Sequence, residues 1–233
     1  VPFDWADPAT WEGALDGAGA VYLMAPDGVP VDPAFVRQAV EQGVRRLVLL
    51  SSLGIEEMDD ERLLAAERTV RESGVDWTVL RCDWFDQNFD EGFFRESVRA
   101  GRITLPLGGL RQCFVDAGDI AAVAAAALTG DGHAGRVYEV TGPRALSFGE
   151  AAEAIGRAAG YPVRYHGEPE EFVREQVAAG LAEEEARGAA AAFAALRERG
   201  DAQPSGDVLR VTGREPRDFT DYAQDAAPAW RDY

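Results

Sequence analysis

The chain has 233 residues, 46% of them hydrophobic, and a formal charge of -18. That charge repels phosphate backbones and anionic lipid, which argues against nucleic-acid and membrane partners, and no apolar run reaches the length of a membrane span or follows a basic leader. All 23 basic residues are arginine, which excludes a lysine Schiff base, a P-loop lysine and a Tyr-x-x-x-Lys catalytic pair. Two cysteines, Cys82 and Cys113, suit a reducing cytoplasm, so a cytoplasmic protein is expected. His133 and His166 have no Cys or His at ligand spacing, and no metal is expected.

Val1-Pro2-Phe3 reads as the tail of a strand, and Asp7-Pro8 as the N-cap and first residue of a helix carrying Trp11, Ala14 and Leu15. Residues 20–25, AVYLMA, form a buried strand closed by Pro26. Asp32-Pro33 starts a second helix, which ends at Gly43. Leu47-Val48-Leu49-Leu50 is apolar on every side chain, the pattern of a strand buried on both faces of a parallel sheet. It ends in Ser51-Ser52, at the edge where open α/β sheets bind ligands; the plainer role for such serines is a turn or a cap. A third helix over 59–73 and a strand over 75–81 follow, and the alternation implies a doubly wound sheet.

After Arg81 the rhythm changes. A helix is expected from Asp86 or Gln87, with extended pieces at 103–106 and 113–115, and Asp119 capping an alanine-rich helix to Leu128. A strand over 137–141 is followed by Ser147 and Glu150, which form a capping box. A short strand at 163–165, two helices within 168–200 joined near Gly180, and a final helix over 219–230 complete the pattern. The division expected is a Rossmann-like sheet domain over 1–142 and a smaller, mostly helical lobe over 143–233 packed on it.

GVRRLVLLSS (43–52), ERTVRESGVDWTVLR (67–81), WFDQNF (84–89), FVDAGDIAAVAAAAL (114–128) and YEVTGP (138–143) together resemble the NmrA-like branch of the atypical short-chain dehydrogenases. The aromatic opening (3–5, 10–11) and VTGREPRDF (211–219) are similar to its bacterial, festuclavine-dehydrogenase-like group. The resemblance implies an NAD(P)-dependent oxidoreductase that reduces a small cyclic or aromatic metabolite of carbonyl or iminium type. One departure stands out: no glycine-rich turn follows a strand and opens a helix, and Gly17-Ala18-Gly19 precedes its strand. Against the family pattern the first βαβ unit is absent, so NAD(P) is expected only where a longer chain supplies that turn, and otherwise no cofactor. The open edge beside residues 20–25 leaves room for a homodimer. Two other readings remain: a cofactor-independent isomerase or cyclase of secondary metabolism, and a non-catalytic redox-sensing regulator.

The resemblance places Ala25, Pro26, Ser51, Ser52 and Glu67 on the cofactor side of the cleft and Trp84, Phe85 and Asn88 on the substrate side. Ser51, Cys82 and Asp83 are the candidates for chemistry. Ser51 would hold the substrate or donate a transition-state hydrogen bond; a turn serine bonded to backbone is the alternative. Glu67 would orient a ribose hydroxyl or act as a base, or else be a solvated helix residue. Cys82 stands where relatives carry proline and offers a thiol, or simply packs. Asp83 and Asp86 would attract a cationic amine, with Asp86 equally suited to capping a helix, and Asn88 would bond substrate or tie the loop down.

Overall fold

The computed structural model describes residues 1–231. Trp11–Leu15 (α1), Ala20–Leu23 (β1), Pro33–Glu41 (α2), Arg46–Ser52 (β2), Glu61–Arg71 (α3) and Asp76–Cys82 (β3) follow one another through short joints. Arg95–Arg99 (α4), Arg102–Thr104 (β4), Arg111–Gln112 (β5), Ala117–Thr129 (α5) and Arg136–Val140 (β6) come next. The chain continues through Leu146–Ser147 (β7), Phe148–Ala159 (α6), Arg164–His166 (β8), Pro169–Ala178 (α7), Glu183–Arg199 (α8), Asp207–Thr212 (α9), Phe219–Ala226 (α10) and Pro228–Arg231 (α11).

The central sheet is parallel throughout, in the order β1-β2-β3-β6. Because side chains alternate along a strand, Leu47, Leu49 and Val79 pack on one face against Trp11, Phe35 and Val70. Val48 and Leu80 pack on the other face against Ile120, Val123 and Ala127. The apolar run of β2 is thus buried twice over, by α1–α3 on one side and by α5 on the other. Each fully buried leucine or valine there contributes about 1.5–3 kcal/mol, an upper figure since unfolded chains already bury some surface. Register aligns Ser51 with Arg81 and Ser52 with Cys82, so the polar residues of β2 and β3 emerge together at the carboxyl edge.

The capping signals act locally as the sequence implies. Asp32 Oδ1 accepts from Ala34 N–H at 2.7 Å with Pro33 in the first turn, and Asp60 Oδ1 accepts from Leu63 N–H at 3.0 Å. Ser147 and Glu150 form the reciprocal capping box of α6. At the sheet's outer edge, Glu139 N–H of β6 donates to Asp207 Oδ2 and Ser205 Oγ–H donates to Glu139 O, so side chains replace a neighbouring strand. Among the described residues, β1 has a strand neighbour only in β2.

Residues 89–114 join residues 146–230 in a separate core, in which Phe89, Phe94, Phe114, Phe148 and Phe219 meet ring to ring. The centroids of Phe114 and Phe148 are 5.0 Å apart and edge-on, a favourable aromatic geometry. Trp230 ties the end of the chain to this core through Nε1–H donation to Phe89 O at 2.8 Å.

Four expectations need correcting. Residues 1–3 form no strand. The helix expected from Asp86 is a short 3-10 turn, Asp86–Phe89, because Phe89 and Phe94 are drawn into the ring cluster and break the helical run. Asp119 does not cap α5: Asp116 does, accepting from Gly118 N–H at 2.7 Å, while Asp119 lies in the first turn and accepts from Arg217 N–H. The last expected helix is two, α10 and α11, parted at Ala227-Pro228 where proline cannot continue the backbone ladder.

Candidate active site

A cavity of about 630 Å³ opens at the carboxyl ends of β1, β2 and β3. Ala25 and Pro26 line it from the loop after β1, and Ser51 and Ser52 from the end of β2. Cys82 and Asp83 reach it from β3, and Trp84, Phe85 and Asn88 from the loop beyond. Two candidates, Glu67 and Asp86, do not line it.

Glu67 sits on α3 against the sheet, 3% exposed. Its Oε1 accepts from Ser51 Oγ–H and from Arg81 Nε–H, both at 2.8 Å. Its Oε2 accepts from Arg71 at 2.8 Å and from Arg81 Nη2 at 2.9 Å. Arg81 in turn reaches Glu56 at 2.7 Å. Burial works against the charge, yet the hydrogen bonds from Arg81 and Ser51 and the two guanidiniums hold the Glu67 carboxyl below its ordinary range. Both oxygens are therefore committed. With its proton on Glu67, the Ser51 hydroxyl turns lone pairs, and no hydrogen, towards the cavity.

Cys82 is buried, with Sγ 3.8 Å from Leu80 O. Burial, helped by the neighbouring Asp83 charge, pushes its thiol up, so it stays protonated at neutral pH and is a poor nucleophile. Asp83 Oδ1 accepts from Trp84 N–H at 2.8 Å and Oδ2 from Cys113 N–H at 2.7 Å, so this carboxyl fastens the end of β3 to the segment after β5. Burial raises its pKa, opposed by those two backbone donors.

Asp86 lies outside the cavity. It is 0% exposed, and its carboxylate oxygens accept no hydrogen bond among the described residues. Burial and the adjacent Asp116 charge push its carboxyl up to about 8. It caps nothing, since Phe85 holds the N-cap position of that turn. Asn88 accepts at its carbonyl from Phe94 N–H at 2.9 Å, which closes the loop beneath Trp84.

The far wall of the cavity is not foreshadowed by the sequence. Phe193, Leu196 and Arg199 of α8 close it, and Met58 joins them in the lining. Phe193 faces Trp84 with centroids 6.2 Å apart, and Phe93 approaches the same indole at 6.3 Å. The turn after β2 must be glycine here: Gly54 has φ +77°, and a Cβ on it would stand 2.5 Å from Leu196 Cδ2. A single phenylalanine in the alanine-rich stretch of 186–195 is the one signal that could have pointed to this wall.

The pocket suits the nicotinamide half of a dinucleotide. It runs across the ends of three parallel strands, where such cofactors bind, and Ser51 offers an acceptor to an amide N–H or a ribose hydroxyl. Comparison with known proteins agrees with that fit. The family model described as NAD(P)H-binding matches residues 1–131. A (4-alkanoyl-5-oxo-2,5-dihydrofuran-3-yl)methyl phosphate reductase of Streptomyces griseus is 35% identical over 97% of this chain and 82% of its own length. An NAD(P)H azoreductase of Xenophilus azovorans is 34% identical, again over 97% and 82%. Among solved structures, triphenylmethane reductase of Citrobacter sp. superposes with a TM-score of 0.77 at 22% identity, covering 97% of this chain and 82% of that one. A mutant NmrA does so with a TM-score of 0.71 at 14% identity, covering 98% and 80%. At those identities the two structures establish the fold alone. The matched family model over residues 1–131, with relatives about a third identical over most of their length, makes this chain a member of the NAD(P)H-binding family.

Proposed function

We propose that the protein is an NAD(P)-dependent oxidoreductase that reduces a small cyclic or aromatic metabolite, of carbonyl or iminium type, in the cavity at the ends of β1–β3. The carrying observation is the make-up of that cavity. One end presents the Ser51 and Ser52 hydroxyls at the strand edge, and the other a box of aromatic rings around Trp84. A flat apolar ring fits against the wall that Trp84, Phe93 and Phe193 form, within reach of a cofactor laid along the strand ends. The azoreductase and dihydrofuranone reductase relatives support a reduction at an unsaturated, conjugated substrate.

When bound, the dinucleotide supplies hydride, and the residues of this chain bind, orient and shield. Ser51 accepts a hydrogen bond from a ligand donor while Glu67 fixes its rotamer. Trp84 and Phe193 exclude water from one face of the substrate ring. Cys82 and Asp83 shape the wall between the two ends and transfer no proton: the thiol is held neutral, and the carboxyl oxygens carry backbone hydrogen bonds. The proton that accompanies hydride comes from water, or is not needed where the substrate is an iminium cation.

The 233-residue polypeptide is expected to bind NADH and NADPH weakly, since its residues line the nicotinamide side and offer no glycine-rich turn for the pyrophosphate. Micromolar binding in calorimetry would overturn that. The function itself is tested by NADPH consumption at saturating cofactor with a panel of quinones, azo dyes and cyclic iminium compounds. Turnover in any one class supports the reading. No turnover in all three, with the cofactor shown to be bound, would sink it.

A further inference from the structure

From the charge pattern inside the cavity we infer that the substrate is an aromatic compound bearing an anionic group, with Arg199 of α8 as the residue that selects it. The inference rests on reading the aromatic end of the cavity as the substrate's place.

Each acidic group that borders the cavity is either spent or remote. Asp83 carries two backbone N–H donors, one on each oxygen. Asp60 caps α3 through Leu63 N–H and lies 3.5 Å from Arg62. Asp27 belongs to the loop after β1, two strands away from the indole. No carboxylate is left at the aromatic end to hold a cation, which is the opposite of what the acidic composition suggests. Of the neutral amides there, Gln112 is engaged, donating through Nε2 to Arg111 O at 2.7 Å.

Arg199 is different. It lines the cavity from the last turn of α8, 36% of its side chain exposed, and its ion pair among the described residues is to Glu57 at 4.0 Å, a weak and solvated contact. Its charge reaches across the cavity to Asp83, where it opposes the upward push of burial. The guanidinium is planar, permanently charged and carries five N–H donors, which suits bidentate recognition of a carboxylate, sulfonate or phosphate. Phe193 and Leu196 stand six and three residues before it on the same helix. One helix therefore supplies both the apolar wall for the ring and the cation for its substituent. Leu196 seats that helix against Gly54, which fixes the distance between ring and charge.

The test is binding, read through quenching of tryptophan fluorescence and confirmed by calorimetry, and needs neither cofactor nor turnover. Three probes share one ring system and differ in charge: naphthalenesulfonate, naphthol and naphthylmethylammonium. The wild-type chain is expected to bind the sulfonate about tenfold more tightly than the neutral alcohol, and the ammonium most weakly. Arg199→Gln should bring the sulfonate down to the alcohol's affinity and leave the alcohol unchanged, while Arg199→Lys should recover part of the preference. Equal affinities, tighter binding of the ammonium, or an unchanged preference in Arg199→Gln would each overturn the inference. Because wild type alone already decides the order of the three probes, a variant that fails to fold does not obscure the answer. Reductase activity with no charge preference would reject Arg199 as selector and leave the proposed function standing. Anion preference without turnover of any substrate class would do the reverse.

Discussion

Two buried carboxylates on either side of the cavity wall meet the same physical problem and solve it in opposite ways. Glu67, behind β2, is surrounded by donors: one serine and two arginines use both of its oxygens. Asp86, below the loop after β3, has no donor among the described residues and faces Asp116. The first stays ionised inside the protein, and the second avoids ionisation by keeping its proton. A buried carboxyl is thus not a uniform feature of the fold. Charge is retained beside the chemistry, where it sets the orientation of Ser51, and is suppressed where the sheet meets the lobe.

The largest way to break this contrast is to remove Glu67. Glu67→Ala strands Arg81 and Arg71 beside a cavity and frees the Ser51 hydroxyl; Arg81 keeps Glu56. Loss of one partner of a buried ion pair costs about 3–5 kcal/mol, so denaturant unfolding should show a loss in that range. A loss below about 1 kcal/mol would mean that solvent reaches the arginines readily.

A smaller change sharpens the contrast from the other side. The Asp86 carboxyl is raised to about 8 in the folded protein, whereas in the unfolded chain it titrates in the ordinary range. Between those values the folded state holds a proton that the unfolded state has released, so stability falls as pH rises towards about 8 and then levels off. Glu67 acts with the opposite sign: its lowered pKa gives stability above the ordinary carboxylate range, which is lost as pH falls through the folded value. Asp86→Asn should remove that slope alone, and raise stability by about 1–3 kcal/mol at about pH 9, a gain that shrinks as pH falls towards the ordinary carboxylate range. Unfolding curves across pH that are parallel for wild type and variant would contradict it.

The two carboxylates also show how far sequence reasoning carries. Local signals found the strands of the central sheet, because an all-apolar run such as Leu47–Leu50 calls for burial on both faces, and short-range caps such as Asp32 and Ser147 depend on near neighbours. They found the side of the cavity that the sheet builds as well, since Ser51 and Asp83 sit at strand ends whose direction a parallel sheet dictates. They did not separate Glu67 from the cleft, because its partner Arg81 is 14 residues away and only the register of β2 with β3 brings both against Ser51. They placed Asp86 on a helix, when ring packing among distant phenylalanines sets that loop. The wall made by α8 was out of reach for the same reason: Phe193 meets Trp84 from 109 positions further along the chain.

Ser51 is where the contrast touches function, and its variant should have the smallest effect on stability. Ser51→Ala removes one of four hydrogen bonds to Glu67 and leaves both arginines in place, a loss of about 1 kcal/mol. Kinetics distinguish the two possible roles of the hydroxyl more sharply than stability does. A serine that donates to the reacting oxygen would cost roughly a hundredfold to a thousandfold in kcat when truncated. A serine whose proton is already committed to Glu67 at 2.8 Å can only accept from the ligand, and its loss removes binding felt equally before and during reaction. The expected result is therefore a KM raised about tenfold or less, with kcat nearly unchanged. Glu67→Gln should alter that outcome, because a neutral amide no longer holds the serine proton as firmly and the hydroxyl becomes free to turn. A collapse of kcat in Ser51→Ala at constant KM would show that the hydroxyl donates despite Glu67, and would return Ser51 to the transition state.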